Sequence, residues 1–404
     1  MGTPDNIVGY VDPLICYPGD KPAVKISCGR GKFSSQVFRL RAGYSHPDAP
    51  PVNHEVVEGI PKEWHEGKPQ YSRPGSYAVI DRWDSAMLDG VEWVKIAFWC
   101  YPTLPEGAGH EQYLFSSFDA ESNVGFECFL NESGNLIFCV GGDGEVQKVT
   151  LSQKLERHRW YHLKFDLKAE SCILSLRTDV QARDISEETV FHAEEHQLRQ
   201  QPRVASHKPI IIASDSLSSG PFPRPTKSAT FNGKIGDFII SAPIQRQQIS
   251  IAQTFCSAIY QPRGHGFEDY MPIDKIHGPW IGHNSLREEK GTLVNSPSRA
   301  VTSHDWDPRQ PDWTRAGHGY DAIHYHDDDL DDAMWNITFE LDLPHDLRSG
   351  CYGVFVDDGE STDFIPFFVR PDPQAADTPP VALIMPTFTY AGQSLPLHKP
   401  HVPV

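Results

Sequence analysis

Short runs of alternating apolar and polar residues, bounded by glycine and proline, cover most of this chain. Stretches with the 3.6-residue period of a helix are scarce. The 34 prolines and 31 glycines punctuate these runs at short spacing. The pattern predicts a mainly β protein assembled from sandwiches. Near the start, Ile7–Tyr10, Ala23–Cys28 and Gln36–Arg41 read as strands, with Pro18-Gly19-Asp20 as a turn. Residues 43–75 are rich in Pro, His, Glu and Gly and read as a long connection. From residue 76 a larger β unit begins, with strands at Tyr77–Ile80, Trp93–Cys100, Gly125–Leu130, Asn135–Val140, Trp160–Leu167, Ser171–Arg177, Pro209–Ala213 and Gly233–Ile240. Asn131-Glu132-Ser133-Gly134 is a hairpin signal between two of them. Residues 181–206 are polar and read as an excursion, and 244–334 show few strands. Alternation returns at Trp335–Leu341, Ser349–Val356 and Phe364–Arg370.

In the middle unit, three features resemble the concanavalin-like, laminin-G-type jelly roll. They are the apolar strand ending at Trp99 before Tyr101-Pro102-Thr103, the run RHRWYHLKFDL at 157–167, and the closing FNGKIGDFII at 231–240. Such sandwiches serve both as sugar binders and as spacers or docking modules, so the fold alone assigns no activity. An immunoglobulin-like sandwich needs about seven strands. Residues 6–42 offer about three and 335–371 about three or four, so neither half buries two sheets alone. The strand count predicts one discontinuous sandwich with the jelly roll inserted between its halves. The alternative is two incomplete units packing on other surfaces.

Charge narrows the function classes. Thirty-six basic against fifty-four acidic residues leave a formal charge of −18. That argues against nucleic-acid binding and against docking on anionic membranes. No apolar run of membrane-spanning length is present, and Met1–Asp5 has neither a basic nor an apolar leader pattern. The eight cysteines are scattered without a CxxC pair. They read as buried small hydrophobes in a reducing, cytoplasmic setting.

The densest chemistry lies at His324-Tyr325-His326-Asp327-Asp328-Asp329. Between 301 and 346 stand twelve acids and two arginines, a net −10, more than half of the whole chain's charge. In an extended run His324, His326 and Asp328 share one face. Three readings stay open: a divalent-ion site, an interdomain hydrogen-bonding hub, and a solvated acidic face. The glycine clusters at 29–31 and 141–144 lack phosphate-loop spacing, and no GxSxG elbow nominates a nucleophile, so no catalytic residue is assigned. Trp64, Trp306 and Trp313 are candidates for stacking on sugars or for plugging loops.

Several strings together resemble the N,N-dimethylformamidase large (β) subunit family. They are IVGYVDPLICYPGDKPAVKISC with VFRLRAG near the start, HGPWIGHNS and NSPSRAVTSHDWD within 277–307, the long run YDAIHYHDDDLDD to FFVRP at 320–371, and MPTFTY at 385–390. The resemblance implies a sandwich assembly followed by a catalytic α/β domain that hydrolyses small amides at a mononuclear iron held by tyrosinates and a glutamate. It nominates one residue, Tyr390, as an iron ligand; otherwise Tyr390 is a packing residue at a strand end. After Tyr390 the chain reads Ala391-Gly392-Gln393-Ser394-Leu395 and departs from the family pattern. The expectation is therefore a truncated catalytic domain, no iron bound by this chain alone, and no activity alone. The family also implies a small subunit or self-association as partner. A lectin-like binding module and a structural remnant are the competing readings. The expected layout is 1–75 and 335–372 as the two halves of the immunoglobulin-like sandwich, 76–243 as the jelly roll, and 244–334 as an irregular connector carrying the acidic and histidine cluster. Residues 373–404 are then a linker and the first, buried strand of a parallel sheet.

Overall fold

The computed structural model describes residues 6–42, 48, 53–80, 93–142, 145–168, 171–178, 191–199, 202–203, 208–215, 217, 229–243, 255–256, 261–262, 280–281, 292–313, 315–316, 319–320, 322–371 and 381–386. Among them regular structure is all strand, with no helix. The chain divides into two compact units. Unit 1 is Met1–Ser72 with Asp332–Val404, and unit 2 is Arg73–Asp331.

Unit 1 is built by strands from opposite ends of the chain. Its smaller sheet orders Val8–Asp12, Ala23–Ser27 and Phe339–Glu340. Its larger sheet orders Ile15–Cys16, Thr362–Val369, Gly350–Asp357, Lys32–Ala42 and Asn53–Val56, with Glu63–Glu66 also paired to Lys32–Ala42. The registers Val354↔Val37 and Val354↔Ile365 put one apolar row inward across three strands. With Val24, Ile26, Phe33, Tyr352, Val356 and Phe367 these residues form one buried cluster. A one-residue slip would turn the whole row to solvent, so the core fixes the register.

The connection expected over 43–75 contains two of these strands. Asn53–Val56 is exposed throughout and Glu63–Glu66 nearly so. An edge strand that buries neither face carries no alternation to read. The strand expected over Trp335–Leu341 shrinks to Phe339–Glu340. Upstream of it, side chains replace the ladder: Asn336 N donates to Gln70 Oε1 at 2.7 Å, and Ile26 N donates to Thr338 Oγ1 at 3.0 Å.

Unit 2 is a two-sheet sandwich of the jelly-roll kind. One sheet orders Glu145–Thr150, Leu136–Gly142, Val124–Leu130, Gln112–Asp119, Ile210–Ile212, Tyr77–Ile80 and Thr292–Val294. The other orders Phe191–Gln197, Ser171–Thr178, Tyr161–Lys168, Trp93–Pro102, Gly233–Pro243, Ala322–Tyr325 and Ser298–Val301, with Phe255–Cys256 on Gly233–Pro243. Aromatic rings join the sheets: Phe138 stacks on Phe165 at 4.4 Å, and Phe98 meets Phe115 edge-on at 5.7 Å. The Asn131 turn closes its hairpin through Oδ1, which accepts from Ser133 N and Asn135 N.

Three departures from the sequence reading stand out. The region 244–334, expected as a connector, supplies Thr292–Val294 to one sheet and Ser298–Val301 and Ala322–Tyr325 to the other. Asn295 and Ser296, both at positive φ, make the turn that passes the chain between the sheets. The excursion at 181–206 contains the edge strand Phe191–Gln197. Val381–Pro386 form no buried parallel strand: Val381 is 81% exposed and Ile384 91%. With no neighbouring strand among the described residues to hydrogen-bond them, apolar composition alone does not make a sheet. The remainder of that expectation, residues 387–404, lies outside the described residues.

The inter-sheet ring stack sets a test of core packing. Phe138→Ala lowers unfolding free energy by about 3–5 kcal/mol in urea titrations. Phe191→Ala, at a ring 69% exposed, changes it by less than about 0.5 kcal/mol.

Candidate functional site

The histidine and acidic cluster lies where the chain leaves unit 2, beside the point where it enters. His324 sits in Ala322–Tyr325, opposite Lys234 on one neighbouring strand and Ser298 on the other. After Tyr325 the strand ends, and Asp327 and Asp328 form a turn. The turn takes exposed Asp328 off the strand and brings Asp329 back onto His326. The acid that joins the two imidazoles is thus Asp329, not Asp328 as simple alternation suggests. The rings of His324 and His326 lie 4.0 Å apart, as their two-residue spacing requires.

Around them runs a closed hydrogen-bond network. His326 Nδ1 pairs with Asp329 Oδ2 at 3.0 Å, and Ser76 Oγ donates to the same oxygen at 2.7 Å. His326 N donates to Ser76 Oγ at 3.1 Å, Ser76 N to His326 O at 2.9 Å, and Gly75 N to Asp329 O at 2.8 Å. Asp327 N donates to Asn232 Oδ1 at 3.1 Å, and Asn295 Nδ2 donates to Gly75 O at 2.9 Å. Residues 73–76 and 326–329 are therefore clasped together. Gly75 holds φ at +114°, and a Cβ there would lie 2.3 Å from Thr230 Oγ1, so no other residue fits.

The two imidazoles have opposite electrostatic settings. Burial, then the neighbouring His326 and Lys234, push His324 down to about 4. Its Nε2 is buried and has no hydrogen-bond partner among the described residues. The hydrogen bond to Asp329 pushes His326 up from its ordinary value. The acidic run itself is divided: Asp332 belongs to unit 1, where it accepts from Tyr10 OH at 2.8 Å.

A second titratable group, not evident from composition, sits on the edge strand Phe191–Gln197. His192, Glu194 and His196 alternate onto one face. Glu194 Oε1 accepts from Ser152 N and contacts Ser152 Oγ and His192 Nε2, while Oε2 meets His196 Nε2 at 3.3 Å. Burial raises Glu194, but the His192 and Ser152 hydrogen bonds outweigh it and hold the carboxyl at about 2. The spacing HxExH was the available signal, and it becomes meaningful once residues 191–197 are known to be extended.

Of the aromatic candidates, Trp64 is 69% exposed on its edge strand, whereas Trp306 is pinned in place by its Nε1 donating to Tyr320 OH at 2.9 Å. Tyr390 lies outside the described residues. Among the described residues no three His, Cys, Asp or Glu side chains converge to hold a metal ion. A hard ferric ion takes several oxygen donors, and among the described residues no such carboxylate set is gathered. No described helix is long and apolar enough to cross a membrane.

The clasp predicts two graded effects on unit 2. Gly75→Ala destabilises it by roughly 1–3 kcal/mol through forced backbone strain. Ser76→Ala costs about 1–2 kcal/mol by leaving buried groups unpaired. Both are read by denaturant unfolding.

The sequence was compared with known proteins. A family model described as N,N-dimethylformamidase beta subunit-like, C-terminal, matches residues 298–392. The N,N-dimethylformamidase beta subunit of Paracoccus aminophilus is 26% identical over 402 residues, covering 95% of this chain and 51% of that protein. The protein of the same name from an Alcaligenes species is 24% identical over 426 residues, with the same coverage. The chain thus spans about half the length of these relatives. Among solved structures, domains LG4-5 of the mouse laminin alpha1 chain match at 12% identity, covering 48% of each chain, with a TM-score of 0.29. A SAP-like pentraxin from Limulus polyphemus matches at 10% identity, covering 51% of this chain and 75% of that one, with a TM-score of 0.26. Superpositions this loose carry no argument. The sequence matches run through both units and include the acidic cluster: over nearly its whole length this chain is similar to N,N-dimethylformamidase beta subunits.

Proposed function

We propose that this chain is the β-sandwich region of an N,N-dimethylformamidase-like amide hydrolase, and that it does not hydrolyse amides by itself. The observation that carries this reading is the coverage: the match takes in 95% of this chain and 51% of the Paracoccus aminophilus relative. The shared half is the half built here from sandwiches. In this reading the iron and most of its oxygen donors belong to the half of the relatives that this chain does not match. When bound, such an ion would polarise the amide carbonyl and supply hydroxide near neutral pH. The sandwich units would contribute a rigid frame and contacts to a partner, either a small subunit or a second copy.

A reducing, cytoplasmic setting belongs to the same reading. The seven cysteines whose side chains are described are all free thiols. Cys16 and Cys28 share the unit 1 core, yet their Sγ atoms turn to the carbonyls of Pro13 and Arg30 rather than to each other.

The test is hydrolysis of N,N-dimethylformamide by the purified chain, with iron content measured on the same sample. The expected result is no turnover above background and far less than one iron per chain, with or without added ferrous salt. Turnover accompanied by one equivalent of iron would refute the proposal.

A further inference from the structure

Unit 2 is entered at Arg73 and left at Asp331, and the clasp between 73–76 and 326–329 joins its two ends. At the centre of that clasp two imidazoles lie 4.0 Å apart. Only one of them is hydrogen-bonded to a carboxylate: His326 holds Asp329, whose charge favours protonation of His324 too but is outweighed there, while His324 Nε2 is buried with no described partner. We infer that the clasp is a two-sided pH latch, closed when His326 alone is protonated and loosened both by a second proton on His324 and by loss of the first.

The surroundings of the pair favour one positive charge. Two imidazolium rings at this separation repel, and Lys234 on the adjacent strand adds a third cation to the His324 side. Lys234 cannot swing clear without giving up Thr302, whose carbonyl oxygen and Oγ1 it holds at 3.1 and 2.7 Å. The residue opposite His324 on the other side is the uncharged Ser298. On the His326 side stand Asp329, Asp328 and Asp327, with uncharged Ser76 completing the contact. One proton is thus held on the acidic side of the pair and a second is excluded from the basic side.

The linkage runs in opposite directions for the two rings. In the open clasp both take protons at the ordinary value of about 6.5. His324 resists protonation down to about 4 in the closed clasp, so its contribution is complete above about 6.5 and is lost as pH falls from there. His326 is pushed up in the closed clasp, so its contribution is complete below about 6.5 and is lost as pH rises through its shifted value. Closure is therefore tightest near neutrality and weakens on either side.

Hydrogen exchange on the full chain reads the latch directly, at the amides of Gly75, Ser76 and His326, corrected for intrinsic exchange. Protection should peak near pH 6.5–7, with opening increased by at least about ten-fold at pH 4.5, since each differential proton changes it up to ten-fold per pH unit. His324→Gln should flatten the acid arm and keep the alkaline one, and His326→Gln should abolish the alkaline arm while leaving a shallower acid arm. Core amides of Ile96 and Val140, far from the titrating pair in sequence, report whether a variant is folded. A wild-type profile without a maximum would overturn the inference, and so would folded variants that each keep both arms. If a variant fails to fold, the wild-type profile alone decides.

Discussion

The antiparallel ladder between Lys32–Ala42 and Gly350–Asp357 is the interaction on which unit 1 depends. It joins the two ends of the chain, and every strand that completes the larger sheet pairs with it or with a strand beside it. Forming it closes a very long loop, whose entropy cost grows only slowly with length but must be met before the core contacts form. The Gly75–Asp329 and Ser76–His326 hydrogen bonds change that problem. Once unit 2 has folded, the segments 73–76 and 326–329 at its two ends are already hydrogen-bonded to each other. The loop that remains to be closed is then short. The connectivity thus divides the work: the inserted sandwich holds its own two ends together, and the split sandwich pairs strands from either side of it.

This division of labour explains where unit 2 spends its unusual residues. Its interior is ordinary aromatic and aliphatic packing, with Phe98, Phe115, Phe138 and Phe165 bridging the sheets. Some of its buried polar groups lie at or beside the neck. Ser76, Asn232 and Gln112 are all buried and hydrogen-bonded there or beside it. Buried polar networks of this sort specify one arrangement more sharply than apolar contact does, because a misplaced partner leaves a donor unpaired.

The legibility of these features in sequence followed burial. Tyr161–Lys168 alternates inward and outward without a break, and its position was plain from residue type alone. Gln112–Asp119 is buried on nearly every residue and contains Gln112, Ser116 and Ser117, so its polar composition hid a central strand. Asn53–Val56 and Phe191–Gln197 failed for the opposite reason, since exposed edges need no apolar face. In the cluster, the closeness of His324 to His326 was implicit in their spacing. The choice of Asp329 over Asp328 was not, because it depends on a turn. Ser76 was out of reach for a stronger reason: it lies 253 residues from Asp329, a distance that only the folded topology bridges.

The carboxylate of Glu194 has a consequence for how this protein behaves at high concentration. Phe191–Gln197 is the outermost strand of its sheet, so one row of its backbone groups meets no neighbour within that sheet. Such a row is a template for stray strands of other molecules. Here the face turned toward the sandwich carries an imidazole–carboxylate–imidazole row in place of oil, anchored to Ser152. A foreign strand docking there would have to strip solvent from that polar row and find it no apolar shelf to rest on. The rim is thereby kept wet, and the sandwich is guarded against growing into a fibre from its own margin.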